Sequence, residues 1–340
     1  NVVTITRSGG TEQQPNWAYR RKITIDHTKV ADVADPSTTY ANFPVYVHAT
    51  GLSNIKANGA DIRFTASDGT TELPREIEKY DSGTLDAWVK VTLTKDAGDS
   101  SDDVIYMYYG DASATEPAQD SAYGRENVWD TNYKAVWHLD EELAGTGNPD
   151  LYQDSTSNNN DGNDYISATG QDGQISGGQE FDHTDDYISV IELNNFENET
   201  PVFTINTWIK IADSGANSII GENLSSTQKE WTAYTSGLNA AFTFVDSTAS
   251  YTTRATTNSP LTVGNWHMVT YKVSKTGGYI YIYVDGIDQA LDSNSISSSW
   301  HSSYNAPFLI GNGRPGYFNG SMDEVRVSNI ARSAEWIATE

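Results

Sequence analysis

The sequence predicts an all-β protein made of two β-sandwich domains, and three observations carry that prediction. Short runs of apolar/polar alternation, such as Lys22-Ile23-Thr24-Ile25-Asp26 and Asp61-Ile62-Arg63-Phe64, recur along the chain. A period of two marks strands with one buried face. The runs are bounded by clusters of Gly, Asp, Ser and Asn, the residues that supply turns. A length of 340 residues corresponds to about two domains.

In chain order, residues 1–15 form a lead-in that contains Val2-Val3-Thr4-Ile5-Thr6. It reads either as a flexible segment or as a strand, residues 2–6, that pairs with a neighbouring subunit. Residues 16–128 make the first sandwich. Its strands include Phe43-Pro44-Val45-Tyr46-Val47, Ala87-Trp88-Val89-Lys90-Val91-Thr92-Leu93 and Val104-Ile105-Tyr106-Met107-Tyr108-Tyr109. The stretch 111–132 has no strand period and holds the domain boundary. Residues 133–340 make the second sandwich, opened by Ala135-Val136-Trp137-His138-Leu139 and followed by a polar loop at 154–162. Asp285-Gly286 after Tyr283-Val284 is a hairpin turn. Ser333 caps one short helix anchored by Trp336. Trp137, Trp208 and Trp266 lie in apolar strand patterns and are expected in the core.

Composition narrows the partners. With 46 acidic against 21 basic residues the formal charge is −25, so a polyanion such as nucleic acid is not expected to bind. No apolar run approaches the roughly 20 residues that span a bilayer. Without cysteine there are no disulfides, thiolate metal sites or Cys nucleophiles. The chain starts at Asn1 without a signal-like segment, which reads as a processed protein or a fragment. Arg20-Arg21-Lys22 is the one compact basic cluster and reads as a solvated face or a carboxylate partner.

The ordered set Val136-Trp137-His138-Leu139-Asp140-Glu141, Asp154-Ser155-Thr156, Phe181-Asp182, Asp186-Tyr187-Ile188, Gly264-Asn265-Trp266-His267, Tyr283-Val284-Asp285-Gly286 and Phe318-Asn319-Gly320-Ser321-Met322-Asp323-Glu324-Val325 resembles a concanavalin A-like, laminin-G-like lectin/glucanase domain. The resemblance implies a two-sheet jelly roll, often calcium-binding, that recognises carbohydrate or protein. Residues 16–128 are similar to a domain of unknown function found ahead of such domains in microbial surface proteins. The marks are Trp17-Ala18-Tyr19-Arg20-Arg21-Lys22, Gly59-Ala60-Asp61-Ile62-Arg63-Phe64 and Ile105-Tyr106-Met107-Tyr108-Tyr109-Gly110. Both resemblances imply an extracellular or cell-surface location.

Three chemistries compete. Calcium wants six to eight oxygens; Asp154, Asn160 and Asp161 offer them in the polar loop, and the resemblance brings in Asp323, with Asp140 as a further candidate. The alternative is a solvated loop with Asx turns. Sugar recognition needs aromatic platforms flanked by hydrogen-bonding groups; the candidates are Trp231, Tyr234, Trp300, Tyr304, Arg314 and Tyr317. Hydrolysis of the glucanase type would need a Glu-x-Asp-x-x-Glu strand, and Glu180-Phe181-Asp182-His183-Thr184-Asp185 lacks the final Glu. No Gly-x-Ser-x-Gly or His-Glu-x-x-His motif occurs. The expectation is a non-catalytic, calcium-stabilised binding segment serving adhesion or carbohydrate binding. A structural subunit or spacer of a surface fibre is the alternative.

Overall fold

The computed structural model describes residues 3–7, 16–31, 39–94, 101–141, 147–167, 171–191, 193, 202–223, 229–245, 251–274, 277–293, 295 and 306–340. The described residues are almost entirely strand and turn, and every strand pairing is antiparallel. The chain divides into two compact units, essentially Asn1–Thr131 and Asn132 onward.

In the first unit, β1 (Val3–Arg7), β2 (Tyr19–Ile25), β3 (Thr39–Ala49), β4 (Arg63–Thr65), β5 (Glu72–Leu73), β6 (Arg75–Asp81), β7 (Thr84–Thr94) and β8 (Asp103–Tyr109) form two sheets. Their orders are β1-β2-β8-β4-β5 and β3-β7-β6. Ile23, Phe64, Ile105 and Met107 from the first sheet and Val45, Val47, Ala87 and Val89 from the second are buried, as the alternation predicts. Of the lead-in, residues 3–7 form a strand that pairs with β2, from Val3 opposite Ile25 to Arg7 opposite Arg21, at the edge of the chain's own sheet.

Two polar groups tie this unit together. Arg75, 1% exposed, donates Nε to the Ile62 carbonyl at 2.9 Å and grips both Glu116 oxygens at 2.5 and 2.8 Å. Asp61 accepts the Lys56 and Gly110 amides at 2.8 and 2.9 Å, joining two turns. The basic cluster is occupied in the fold as well: Arg20 lies over the Tyr106 ring, and Arg21 donates to the Thr50 and Gly51 carbonyls. Removing the Arg75 fork leaves a carboxylate and a buried carbonyl without their donor. Arg75→Ala is therefore expected to cost about 3 kcal/mol in chemical denaturation, and Arg75→Lys, which lacks the planar fork, more than half of that.

The second unit contains β9 (Tyr133–Trp137), β10 (Asn163–Tyr165), β11 (Gln171–Asp172), β12 (Gly177–Asp182), β13 (Tyr187–Val190), β14 (Val202–Ile211), β15 (Ser218–Asn223) and β16 (Lys229–Ser236). It continues with β17 (Asn239–Val245), β18 (Tyr251–Ala255), β19 (Trp266–Ser274), β20 (Tyr279–Val284), β21 (Ile287–Asp288), β22 (Phe308–Ile310), β23 (Asn319–Ser328) and the helix α1 (Ala334–Thr339). One sheet has the order β10-β13-β22-β15-β16-β17-β18, the other β11-β12-β23-β14-β19-β20-β21 with β9 beside β23. Ile188, Phe308, Ile310 and Phe242 of the first meet Ile205, Val269, Ile282 and Val325 of the second in one apolar core. Ser333 caps α1 as expected, its hydroxyl accepting from the Trp336 amide at 3.1 Å. The Asp285-Gly286 turn joins β20 to β21 with both residues at positive φ, 52° and 74°.

Of the three tryptophans expected in the core, Trp137 is there. Trp208 and Trp266 are half-buried on the outer face of the larger sheet, where Lys210 lies over the Trp266 ring. Alternation decides it: Ile205, Ile209 and Ile211 of β14 point inward, so Trp208 and Lys210 point out.

Candidate functional site

The seven-stranded sheet has an inner face in the core and an outer face. Strand register places Asn163, Ser189, Leu309, Gly221, Thr232, Thr243 and Thr253 in one row across the outer face. Along the inner strands the residues that alternate with this row, Ile188, Ile220, Phe242 and Phe244, fill the core. The row is rich in hydroxyl and amide groups and carries no carboxylate.

At the β10–β13 end of this face three tyrosines gather. Tyr165 pairs with Tyr187, their rings stacked at 4.4 Å and 5° from parallel, and Tyr317 stands 6.3 Å from Tyr187. Tyr165 is 39% exposed, and the other two are half-buried. Tyr317 arrives on the loop 311–318, which the Asn312–Tyr317 bridge and the Phe318 amide to Gly311 carbonyl bond (2.8 Å) close into a tight turn carrying Arg314, exposed, and a cis Arg314–Pro315 bond. This loop lies on the sheet: a Cβ on Gly313 would meet Thr232 at 2.9 Å. Gly311 must be glycine, because its φ is +81° and a Cβ would stand 2.2 Å from the Phe181 ring.

Of the residues that sequence singled out for ligand binding, Arg314 and Tyr317 belong to this end. Tyr234, half-buried, follows Thr232 by two along β16 and so shares its face. Trp231 does not. It is 2% exposed, stacked on Phe242 at 5.6 Å, with its indole N–H on the buried Glu222 carboxylate at 2.6 Å. One step along the strand reverses its direction and makes it core. Trp300 and Tyr304 lie outside the described residues. Tyr165 and Tyr187 were missed, although Tyr187 alternates with the apolar Ile188 and Val190; only strand pairing brings Tyr165 beside it.

The oxygen-bearing candidates fall into two networks. Asp154 is fully buried and accepts the Val136 amide at 3.0 Å and the Asn160 amide at 2.9 Å, while its own amide donates to Asp161 at 2.8 Å. Asn160 also donates its side-chain amide to the Lys134 carbonyl at 2.7 Å. These three residues fasten the polar loop to β9. Asp323, also fully buried, accepts the Ile175 amide at 2.7 Å in the β11–β12 hairpin, and Asp140 packs against Gly177 of the same hairpin. Asp182, Asp185 and Asp186 approach one another within 4.8 Å, as do Asp26, His27 and Asp102 in the first unit. Both groups fasten turns: Asp182 holds the Thr184 amide at 2.7 Å, Asp186 holds the Ser167 and Asp182 amides, and Asp102 holds the His27 amide.

The glucanase-like pair is on the other sheet. Glu180 lies opposite Ser321 and Asp182 opposite Asn319 in β12–β23, and the Asp182 carboxylate is engaged in its turn. His138 and His267 also serve structure, their Nδ1 atoms 2.6 Å from Glu324 and 2.8 Å from Asp285.

Residues 182–338 match the sequence profile of the concanavalin A-like lectin/glucanases superfamily, and residues 58–130 that of a domain of unknown function (DUF2341). No curated protein matches the chain. Among solved structures, domain 4 of AbnA, an extracellular arabinanase from Geobacillus stearothermophilus, in complex with arabinotriose, is 15% identical with a TM-score of 0.46. The match covers 61% of this chain and 97% of that one. The binding domain of Paraclostridial Mosquitocidal Protein 1 is 16% identical (TM-score 0.49), and the receptor-binding domain of a botulinum neurotoxin C/D mosaic serotype 14% identical (TM-score 0.46). Each match covers 61% of this chain and about half of the other, 51% and 50%.

Proposed function

We propose that the concanavalin A-like unit is a non-catalytic carbohydrate-binding module of an extracellular or cell-surface protein, serving adhesion or substrate capture. Glycan lies on the outer face of the seven-stranded sheet. The observation that carries this reading is the Tyr165–Tyr187–Tyr317 group at the end of the face that also bears the half-buried Asn163 and Ser189: sugar C–H faces stack on rings, and hydroxyls find partners at Asn163, Ser189 and the exposed Arg314. The row carries hydrogen-bonding groups and no pair of carboxylates, which favours binding over hydrolysis. Calcium enters the same reading as a stabiliser of the unit, supported by Asp140 and Asp323 meeting at one hairpin.

Screening the 340-residue chain against immobilised polysaccharides, followed by calorimetric titration of the best hit, tests the reading. Saturable binding without release of reducing ends is expected. Absence of binding across neutral and acidic glycans refutes it, and turnover of a bound glycan would make the module an enzyme.

A further inference from the structure

We propose that the outer face of the five-stranded sheet in the first unit binds an acidic polysaccharide, with Arg20 and Lys22 of β2 engaging its carboxylate or sulfate groups beside the Tyr106 ring. The site lies in the first unit, so it goes beyond the glycan face proposed for the second.

Strand register builds this face. Arg20, Lys22 and Thr24 alternate along β2 with the buried Ile23 and Ile25, so the three point outward. Lys22 lies opposite Tyr106 of β8, Arg20 opposite Tyr108, and Thr24 between Val104 and Thr4. Arg20 leans across to Tyr106, its Cζ 4.7 Å from the ring centroid. One ring thus joins both cations: Arg20 lies over it and Lys22 is its cross-strand partner. Tyr108 is buried, its hydroxyl donating to the Gly69 carbonyl, which leaves the half-buried Arg20, Lys22, Thr24 and Tyr106 with the exposed Thr4 as the accessible part.

Arg20 is marked by donors that the protein does not use. Its neighbours are spent: Arg21 on the Thr50 and Gly51 carbonyls, Arg63 on the Ala60, Ile62 and Thr115 carbonyls, and Arg75 on Glu116. Among the described residues Arg20 makes no hydrogen bond and no ion pair, and its Nε–H is shielded from water without an acceptor. The Tyr106 ring engages the flat face of the guanidinium, which leaves the in-plane donors of the terminal nitrogens for a ligand. Lys22 has no hydrogen bond or ion pair among the described residues either. Asp102 feels its charge, but that carboxylate already accepts from the His27 ring and amide at 2.7 and 3.1 Å. Two such cations side by side stand out in a chain where 46 acidic residues compete for 21 basic ones.

The ligand class follows from the donors. A guanidinium fork fits two oxygens of a carboxylate or sulfate at once, and Lys22 adds a point charge about 7 Å along the strand. Thr24 and Thr4, opposite one another, offer hydroxyls to sugar hydroxyls. Two cations on a molecule of formal charge −25 suit a polymer whose anionic groups are spaced along a hydroxyl-rich chain. Nucleic acid and anionic bilayers, with their dense charge, meet net repulsion.

The test titrates the full chain with polygalacturonate and with dextran sulfate by calorimetry at low salt. Saturable binding of at least one of them, weakened by added salt, is expected. Arg20→Gln is expected to weaken it about 10-fold, the worth of one charge-assisted pair, and Lys22→Gln several-fold. Arg20→Lys keeps the charge without the fork and should fall between Arg20→Gln and the wild type. Neither side chain is hydrogen-bonded within the protein, so thermal midpoints within a few degrees of wild type are expected. Lys79→Gln removes an exposed charge from the other sheet and is expected to bind as the wild type does. No binding of either polyanion overturns the proposal, as does binding that Arg20→Gln and Lys22→Gln leave unchanged or that Lys79→Gln weakens equally. Capture by phosphatidylserine vesicles in place of the polysaccharides overturns it in favour of a lipid headgroup.

Discussion

Asp154→Ala is expected to destabilise the second unit by about 3 kcal/mol, measured by chemical denaturation followed through tryptophan fluorescence. The Asp154 carboxylate is fully buried and each of its oxygens accepts a backbone amide, from Val136 and from Asn160. Hydrogen bonds to a charged acceptor contribute about 1.5–3 kcal/mol each, and alanine leaves both amides orphaned. The Val136 amide belongs to β9, which has β23 on one side only, so a donor on its free edge needs an acceptor from a loop. Trp137 reports on the same loop, since its indole N–H donates to the Asn160 carbonyl at 3.0 Å. Asp154→Asn, which keeps one acceptor oxygen, is expected to cost about half as much. Calcium affinity should survive in both variants that fold; a proportional loss of calcium binding would return the cation to the 154–161 loop.

The same residue shows what was legible in the sequence and what was not. Oxygen-rich composition marked the 154–162 loop as special, but composition does not distinguish a carboxylate that holds a metal from one that holds two amides. That difference lies in pairings such as Val136 with Asp154, 18 residues apart. Fold class, by contrast, rests on local alternation and turn residues, which is why Lys22-Ile23-Thr24-Ile25-Asp26 and Asp61-Ile62-Arg63-Phe64 read as strands with one buried face, and Ile23, Ile25, Ile62 and Phe64 are buried. Alternation failed where a single-residue shift decides the face. Trp231 was read as a platform and is core, while Trp208 was read as core and faces outward.

Tyr187→Ala is expected to weaken glycan binding 10- to 100-fold, about 1.4–2.8 kcal/mol, in calorimetric titration with the polysaccharide hit. Tyr187 is the middle ring of its group, face to face with Tyr165 at 4.4 Å and 6.3 Å from Tyr317, so its removal takes away one surface and unseats two others. Because its side chain lies outside the core, while Ile188 beside it fills the core, the thermal midpoint should change by no more than a few degrees. Tyr187→Phe keeps the ring and loses the hydroxyl, and an affinity within about threefold of wild type is expected if stacking dominates. The order of the two variants carries the mechanism. Equal, large losses in both would make the phenol hydroxyl the recognising group, and wild-type affinity in both would move the site along the face toward Tyr234. Only a large loss in alanine with a small one in phenylalanine identifies the stacked rings as the surface on which the sugar lies.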